Sequence, residues 1–127
     1  MVSVSVTDVR PWGVGMPAWM QLHQFGDVLI DAFGAPAYLV GSALKTKDPR
    51  DVDVRLPLDI DEFIRVVGPA DTFGRAGTRW AALALAFSAL GNQMTGKLID
   101  FQVQHSGISL IYSTDPKLLL GTKGGDR

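Results

Sequence analysis

Two aspartates one residue apart, Asp51 and Asp53, follow a glycine-serine pair, Gly41 and Ser42. In a β-strand alternate side chains share a face, so both carboxylates project from the same side of the apolar segment 51–56. Carboxylates about 7 Å apart on one strand face repel each other unless a cation lies between them. Mg²⁺ is typically bound through one or two carboxylates together with substrate phosphates. The spacing therefore favours a divalent metal site, and the glycine-serine turn is a candidate for holding phosphate.

A third carboxylate, Asp100, lies in a second alternating segment, residues 98–104. If the two segments are neighbouring strands, Asp100 can lie beside Asp51 and Asp53, which puts three carboxylates on one sheet surface. Three negative charges so close together favour a bound cation. The alternative is an exposed strand with a solvated polar face, in which Arg55 pairs with one of the carboxylates.

The order of these features resembles the nucleotidyltransferase superfamily that includes DNA polymerase beta, the CCA-adding enzymes and the aminoglycoside nucleotidyltransferases. The signature of that family is an apolar strand ending in Gly-Ser or Gly-Gly, then Asp-x-Asp or Asp-x-Glu on the next strand, and a carboxylate on a later strand. The matching residues here are Gly41-Ser42, Asp51-Val52-Asp53 and Asp100, and the resemblance covers roughly residues 37 to 104.

The resemblance implies transfer of a nucleoside monophosphate from a nucleoside triphosphate to a hydroxyl acceptor, with release of pyrophosphate. It implies Mg²⁺ or Mn²⁺ as cofactor and a small molecule, a nucleic acid or a protein as acceptor. A second copy of the chain or a partner protein is expected to complete so small a catalytic core. The implied catalytic and metal-binding residues are Asp51, Asp53 and Asp100, and the implied nucleotide-binding residues are Gly41 and Ser42. Arg50 and Arg55 directly flank the aspartates, so we also predict them as nucleotide-binding residues, with one of them contacting the ligand or a carboxylate.

The chain also departs from the family pattern. Only eight residues separate Ser42 from Asp51, whereas many members use about ten or more, including a helical turn that helps to hold the triphosphate. Arg50 stands where many relatives have serine. Two other functions therefore stay open: a catalytically silent binding module, as in a toxin–antitoxin or regulatory component, and a non-enzymatic interaction domain.

The composition sets outer limits. The chain has 127 residues and a formal net charge of −1, so any attraction to nucleic acid must come from a local patch. The absence of cysteine excludes disulfides, thiolate zinc sites and cysteine nucleophiles. We expect a single domain over residues 1–120 and a disordered tail over 121–127. The start of the sequence lacks signal-peptide features and no apolar run is long enough for a bilayer, so we expect a cytoplasmic protein without membrane contact.

The pattern of apolar residues predicts an α/β fold, a mixed sheet of three to five strands with helices mainly on one face. A loop is expected at 91–96. The run 80–90 is apolar nearly all round, which predicts a helix buried on most of its surface. Strands are predicted at 1–7, 37–40, 51–56, 98–104 and 108–112, and helices at 17–33, 59–67 and 78–90.

Overall fold

A computed structural model describes residues 17–41, 51–68, 77–105 and 117–122 of the chain. The strands predicted at 1–7 and 108–112, and the candidate residues Ser42 and Arg50, lie outside the described residues. The elements are α1 (Ala18–Phe33), β1 (Tyr38–Val40), β2 (Val52–Leu58), α2 (Ile60–Val67), α3 (Thr78–Thr95), β3 (Ile99–His105) and β4 (Lys117–Leu119).

The four described strands form one mixed sheet in the order β3-β2-β1-β4. Strand β1 is antiparallel to both β2 and β4, whereas β2 and β3 run parallel. The parallel pair requires a crossover connection, and helices α2 and α3 lie within it. The predicted mixed α/β fold is therefore confirmed.

One face of the sheet carries the hydrophobic core. Strand β2 contributes Val54 and Leu56, strand β3 contributes Phe101 and Val103, and all four are buried. These residues form one buried cluster with apolar side chains of α1 and α2, and partly buried apolar side chains of α3 pack against it. The ring of Phe101 lies at its centre and contacts the aromatic rings of Phe25, Phe33 and Phe87. Because side chains alternate along a strand, the polar residues of β2 and β3 project from the opposite face.

The first two helices follow their sequence signals. Apolar residues of α1 recur at helical spacing and are buried, and the helix ends at Gly34, whose backbone is left-handed with φ of 73°. Helix α2 begins after Asp59, whose carboxylate accepts a hydrogen bond of 2.8 Å from the backbone N–H of Glu62. The carboxylate of Asp59 therefore caps the helix.

Helix α3 differs from its prediction in length and in burial. It continues to Thr95 and ends at Gly96, so the loop expected at 91–96 is wrong. Gly91 does not break the helix but allows close contact with β3, since a Cβ atom there would lie 3.0 Å from the side chain of Ile99. The sheet covers only one side of α3, and the other side exposes four alanines and Leu85, which is 74% exposed. No helix in the described ranges, α3 included, is long and apolar enough to cross a membrane.

The end of the described chain is held on α1. The backbone N–H of Gly121 donates to Nδ1 of His23 at 3.0 Å, and that of Thr122 donates to the Asp27 carboxylate at 2.9 Å. Gly26 permits this approach, because a Cβ atom there would lie 2.7 Å from the backbone carbon of Leu120. The described chain therefore includes the first two residues of the expected tail, Gly121 and Thr122, and residues 123–127 lie outside the described ranges.

The buried His23 predicts a loss of stability in mild acid. Burial lowers the pKa of His23, and the nearby charge of Asp27 opposes this only in part. The unfolded chain therefore takes up a proton as the pH falls below about 6.5, while the folded chain keeps a neutral ring. The free energy of unfolding should then fall by up to about 1.4 kcal/mol per pH unit until the folded-state pKa is reached.

Urea unfolding of the wild type and of His23→Asn at pH 7.5 and pH 5.5 checks this expectation. Asparagine can still accept the hydrogen bond from Gly121 but does not titrate, so the difference between the two proteins isolates His23 from the carboxylates. Equal pH dependence in both proteins would contradict the assignment.

Candidate metal centre

Three carboxylates meet on the polar face of the sheet. One oxygen atom from each of Asp51, Asp53 and Asp100 can be chosen so that all three lie within 4.8 Å of one another. The predicted convergence of these side chains is therefore present in the structure, while their catalytic role stays a prediction. Such a set of oxygen donors can hold a metal ion.

The register of the two central strands explains the convergence. Asp53 on β2 is the direct partner of Asp100 on β3. In a parallel pair, partnered side chains project to the same face, and neighbouring strands lie only about 4.8 Å apart. Asp51 precedes the first residue of β2 and is half-buried, as are Asp53 and Asp100.

Arg55 lies inside the carboxylate cluster. One terminal nitrogen donates to the backbone carbonyl of Asp100 at 2.6 Å, and the other lies 3.3 Å from the Asp100 carboxylate. The second nitrogen is also 3.9 Å from an oxygen of Asp53. Arg55 therefore pairs with a carboxylate, that of Asp100, as the alternative interpretation of the strand predicts. Contact between Arg55 and a nucleotide stays a prediction.

The electrostatics of the cluster centre on Asp53. Burial is the main cause that raises the pKa of Asp53, and the negative charges of Asp100 and Asp51 raise it further. The guanidinium of Arg55 acts in the opposite direction and lowers that pKa. The ionised cluster therefore stabilises an added cation, because each carboxylate is already close to another negative charge.

Gly41 brings the backbone against the cluster. It follows β1, whose last residue, Val40, is paired with Asp53. The backbone of Gly41 is left-handed with φ of 81°, and a Cβ atom there would lie 2.5 Å from a carboxylate oxygen of Asp53. Glycine is required here both by the backbone conformation and by the close approach of Asp53. The predicted position of Gly41 at the site is present, and its contact with phosphate stays a prediction.

Helix α3 holds the strand that carries Asp100. Strand β3 is at one end of the described sheet, so its outer edge has no strand partner there. The backbone N–H groups of Ile99 and Phe101 donate to the side chains of Asn92 and Ser88, at 2.5 Å and 2.8 Å. The indole N–H of Trp80 donates to the carbonyl of Val103 at 2.6 Å. Among the described residues, these bonds take the place of a neighbouring strand at this edge, and those of Ile99 and Phe101 flank Asp100 on both sides.

Sequence reasoning missed this role of α3. It placed Asn92 in a loop and read the rest of the helix as apolar. The signal was present in the spacing, because Trp80, Ser88 and Asn92 are separated by eight and four residues and so share one side of a helix. Polar groups on one side of an otherwise apolar helix indicate that this side faces backbone donors or acceptors.

Removing the side chain of Asn92 should destabilise the protein. Asn92→Ala leaves the Ile99 N–H without its acceptor in a partly buried position, which costs about 1–3 kcal/mol of unfolding free energy. Gln93→Ala changes an exposed residue of the same helix and should stay within about 0.5 kcal/mol of the wild type. Urea denaturation of both variants measures the difference, and equal stabilities would show that the edge of β3 does not depend on Asn92.

A depression on the surface lies away from the carboxylates. It has a volume of about 590 Å³ and lies at the other end of β2, lined by residues such as Phe33, Leu58 and Arg65. The guanidinium of Arg65, which lines the depression, is already paired with Glu62 on α2. The two carboxylates that line the depression are engaged within α2, since Asp59 caps the helix and Glu62 pairs with Arg65.

Comparisons with known proteins do not assign the chain to a family. No family model matches it, and no curated protein or solved structure matches it at a significant level. The function is therefore inferred from the site itself and from the resemblance of its motif.

Proposed function

We propose that the protein is a metal-dependent nucleotidyltransferase that moves a nucleoside monophosphate from a nucleoside triphosphate to a hydroxyl acceptor. The observation that carries this proposal is the convergence of Asp51, Asp53 and Asp100 within 4.8 Å on two adjacent parallel strands. Three carboxylates so close together repel one another unless a cation lies between them, and carboxylate oxygens are ligands that Mg²⁺ prefers.

The chain offers distinct positions for the donor and the acceptor. Asp51 and Asp53 would hold the metal that accompanies the triphosphate, and Asp100 would complete the ligands on the acceptor side. When bound, Mg²⁺ or Mn²⁺ neutralises the phosphate charge and increases the acidity of the acceptor hydroxyl. The carboxylate of Asp100 can accept the proton of the acceptor hydroxyl while the hydroxyl oxygen forms a bond to the α-phosphorus. The bond from the α-phosphorus to the bridging oxygen breaks, and pyrophosphate leaves.

The glycine beside Asp53 supports the same assignment. A phosphate group binds best where backbone N–H groups can approach it without an intervening side chain. Gly41 provides such a backbone within contact distance of the Asp53 carboxylate. Ser42, which the family resemblance assigns to the nucleotide, and Arg50, which is predicted to contact it from its place beside Asp51, both lie in the sequence between β1 and β2.

A second candidate function is nucleotide binding without turnover. The short connection of eight residues between Ser42 and Asp51 favours it, because less backbone is available there to hold a triphosphate. Retention of all three carboxylates favours the transferase, since simple binding does not require the one assigned to the acceptor.

A screen of the four nucleoside triphosphates with MgCl₂ or MnCl₂ distinguishes these functions. The transferase predicts a metal-dependent rise in melting temperature with a triphosphate and release of pyrophosphate when a suitable hydroxyl acceptor is present. A rise without pyrophosphate across a broad set of small-molecule, nucleic-acid and protein acceptors would select the binding module. No response to metal or triphosphate would select the non-enzymatic interaction domain.

A further inference from the structure

The buried position of Arg55 is unusual for a residue on the polar face of a sheet. Its side chain is only 9% exposed, although its neighbours on that face, Asp53 and Asp100, are half-buried. A buried guanidinium is stable only when it is paired and hydrogen-bonded. Its two terminal nitrogens meet that requirement through the main chain and the carboxylate of Asp100.

We propose that Arg55 is a positioning residue, an internal cation that holds the carboxylates of Asp53 and Asp100 in place for the metal. This inference rests on the proposed function and adds the device that prepares the site. By binding both the backbone carbonyl and the carboxylate of Asp100, the guanidinium fixes the orientation of that side chain. Its distance of 3.9 Å from Asp53 lets it counter the repulsion between the two aspartates.

The charges of the cluster support this role. With the carboxylates ionised, three negative groups and one guanidinium leave a formal charge of −2, which matches one divalent cation. Without Arg55 the metal-free site would hold three mutually repelling carboxylates. Lysine is not an equivalent, because a single ammonium lacks the planar fork that reaches a carbonyl and a carboxylate together.

The geometry disfavours a direct contact between Arg55 and a triphosphate. One terminal nitrogen donates to the backbone carbonyls of Val54 and Asp100, and the other donates to the Asp100 carboxylate and faces Asp53. A phosphate would therefore have to compete with these groups for the guanidinium. The Nε donor is buried and has no hydrogen-bond partner among the described residues. Nucleotide contact is therefore the competing assignment that the experiment must distinguish.

The test compares Arg55→Gln with a matched control, Arg65→Gln, which removes an exposed arginine that is also paired with a carboxylate. Melting temperatures are measured with MnCl₂ and without added metal. For Arg55→Gln we expect a melting temperature roughly 5 °C or more below the wild type without metal. The rise on adding Mn²⁺ should exceed that of the wild type, because the ion then relieves more repulsion. Arg65→Gln should match the wild type in both conditions within about 2 °C.

Several outcomes would overturn the proposal. If Arg55→Gln lowers the melting temperature equally with and without Mn²⁺, Arg55 is a purely structural residue. A normal Mn²⁺-dependent rise in the wild type would then show that the metal site itself is intact.

If the wild type releases pyrophosphate, Arg55→Gln should lower kcat by about 10-fold to 100-fold with the KM for triphosphate little changed. An increase in KM alone, with an unchanged metal-free melting temperature, would assign Arg55 to the nucleotide. No Mn²⁺ response in the wild type would overturn both the metal site and this inference.

Two measurements keep the proposal testable if Arg55→Gln does not fold. Arg55→Lys keeps the charge, and should restore the wild-type size of the Mn²⁺ rise without restoring kcat. In the wild type itself, the buried Nε–H of Arg55 should give an arginine side-chain NMR signal that shifts on addition of MgCl₂. In Asp53→Asn the same signal should not shift on addition of MgCl₂. If MgCl₂ does not shift the signal in the wild type, the proposal is contradicted.

Discussion

Replacement of Asp53 by asparagine should abolish pyrophosphate release and remove the metal-dependent rise in melting temperature. Asparagine has nearly the same shape, so the change removes a negative charge at the centre of the cluster while preserving the packing. Loss of groups that only support metal ligands costs about 10-fold to 100-fold in activity, so loss of a ligand should cost more than 100-fold. Without metal, Asp53→Asn should be as stable as the wild type or more stable, because the repulsion from Asp51 and Asp100 is relieved.

Two further variants make this result specific. Asp31→Asn removes an exposed carboxylate from α1 and should leave both the metal response and turnover unchanged. Asp100→Ala should abolish turnover yet spare much of the metal-dependent binding of triphosphate, because it removes a ligand needed mainly at the transition state. If Asp53→Asn retained the full metal-dependent rise, the metal would bind elsewhere on the protein.

Substitution of Gly41 by alanine should impair the site through two separate effects. The left-handed backbone at Gly41 costs a residue with a Cβ atom about 1–2 kcal/mol. The same Cβ atom would lie 2.5 Å from the Asp53 carboxylate, so that carboxylate must move away from its metal-binding position. We expect the metal-dependent rise in melting temperature to be largely lost and turnover to fall by about 100-fold, since small displacements of catalytic groups have effects of this size.

Gly34 provides the matched control for the backbone effect. It is also left-handed, with φ of 73°, but a Cβ atom there would meet nothing within 4 Å. Gly34→Ala should therefore show the loss of stability alone, with a normal response to metal. If Gly41→Ala and Gly34→Ala behaved alike in metal binding and turnover, the close approach of Gly41 to Asp53 would have no functional role.

Much of the fold and the carboxylate cluster could be predicted from the sequence because strand alternation is a local property. The spacing of Asp51 and Asp53 assigns them to one face, and the apolar residues between them assign the other face to the core. The pairing of Asp53 with Asp100 depends on the register of two strands that are distant in sequence. The sequence therefore allows the two residues to be neighbours but does not indicate that they are direct partners. The family motif supplied the third carboxylate before the register was known.

The features that could not be predicted depend on tertiary contacts. Gly91 and Asn92 are typical of a loop, yet α3 continues through them because Gly91 packs on Ile99 and Asn92 binds the edge of β3. The exposed side of α3 was also unexpected, since the number of faces that a helix buries depends on what packs around it. The sequence leaves two partners open for Arg55, the nucleotide or a carboxylate, and its burial beside Asp100 is visible only in the fold.

The most direct test of the central claim is a crystal structure with Mn²⁺ and a non-hydrolysable nucleoside triphosphate, in which anomalous scattering locates the metal. The proposed function predicts a Mn²⁺ peak among the carboxylates of Asp51, Asp53 and Asp100, with the triphosphate beside it and the backbone of Gly41 close to a phosphate. A bound triphosphate whose Mn²⁺ lies away from these carboxylates, or a carboxylate cluster that stays free of Mn²⁺ at saturating concentration, would contradict it.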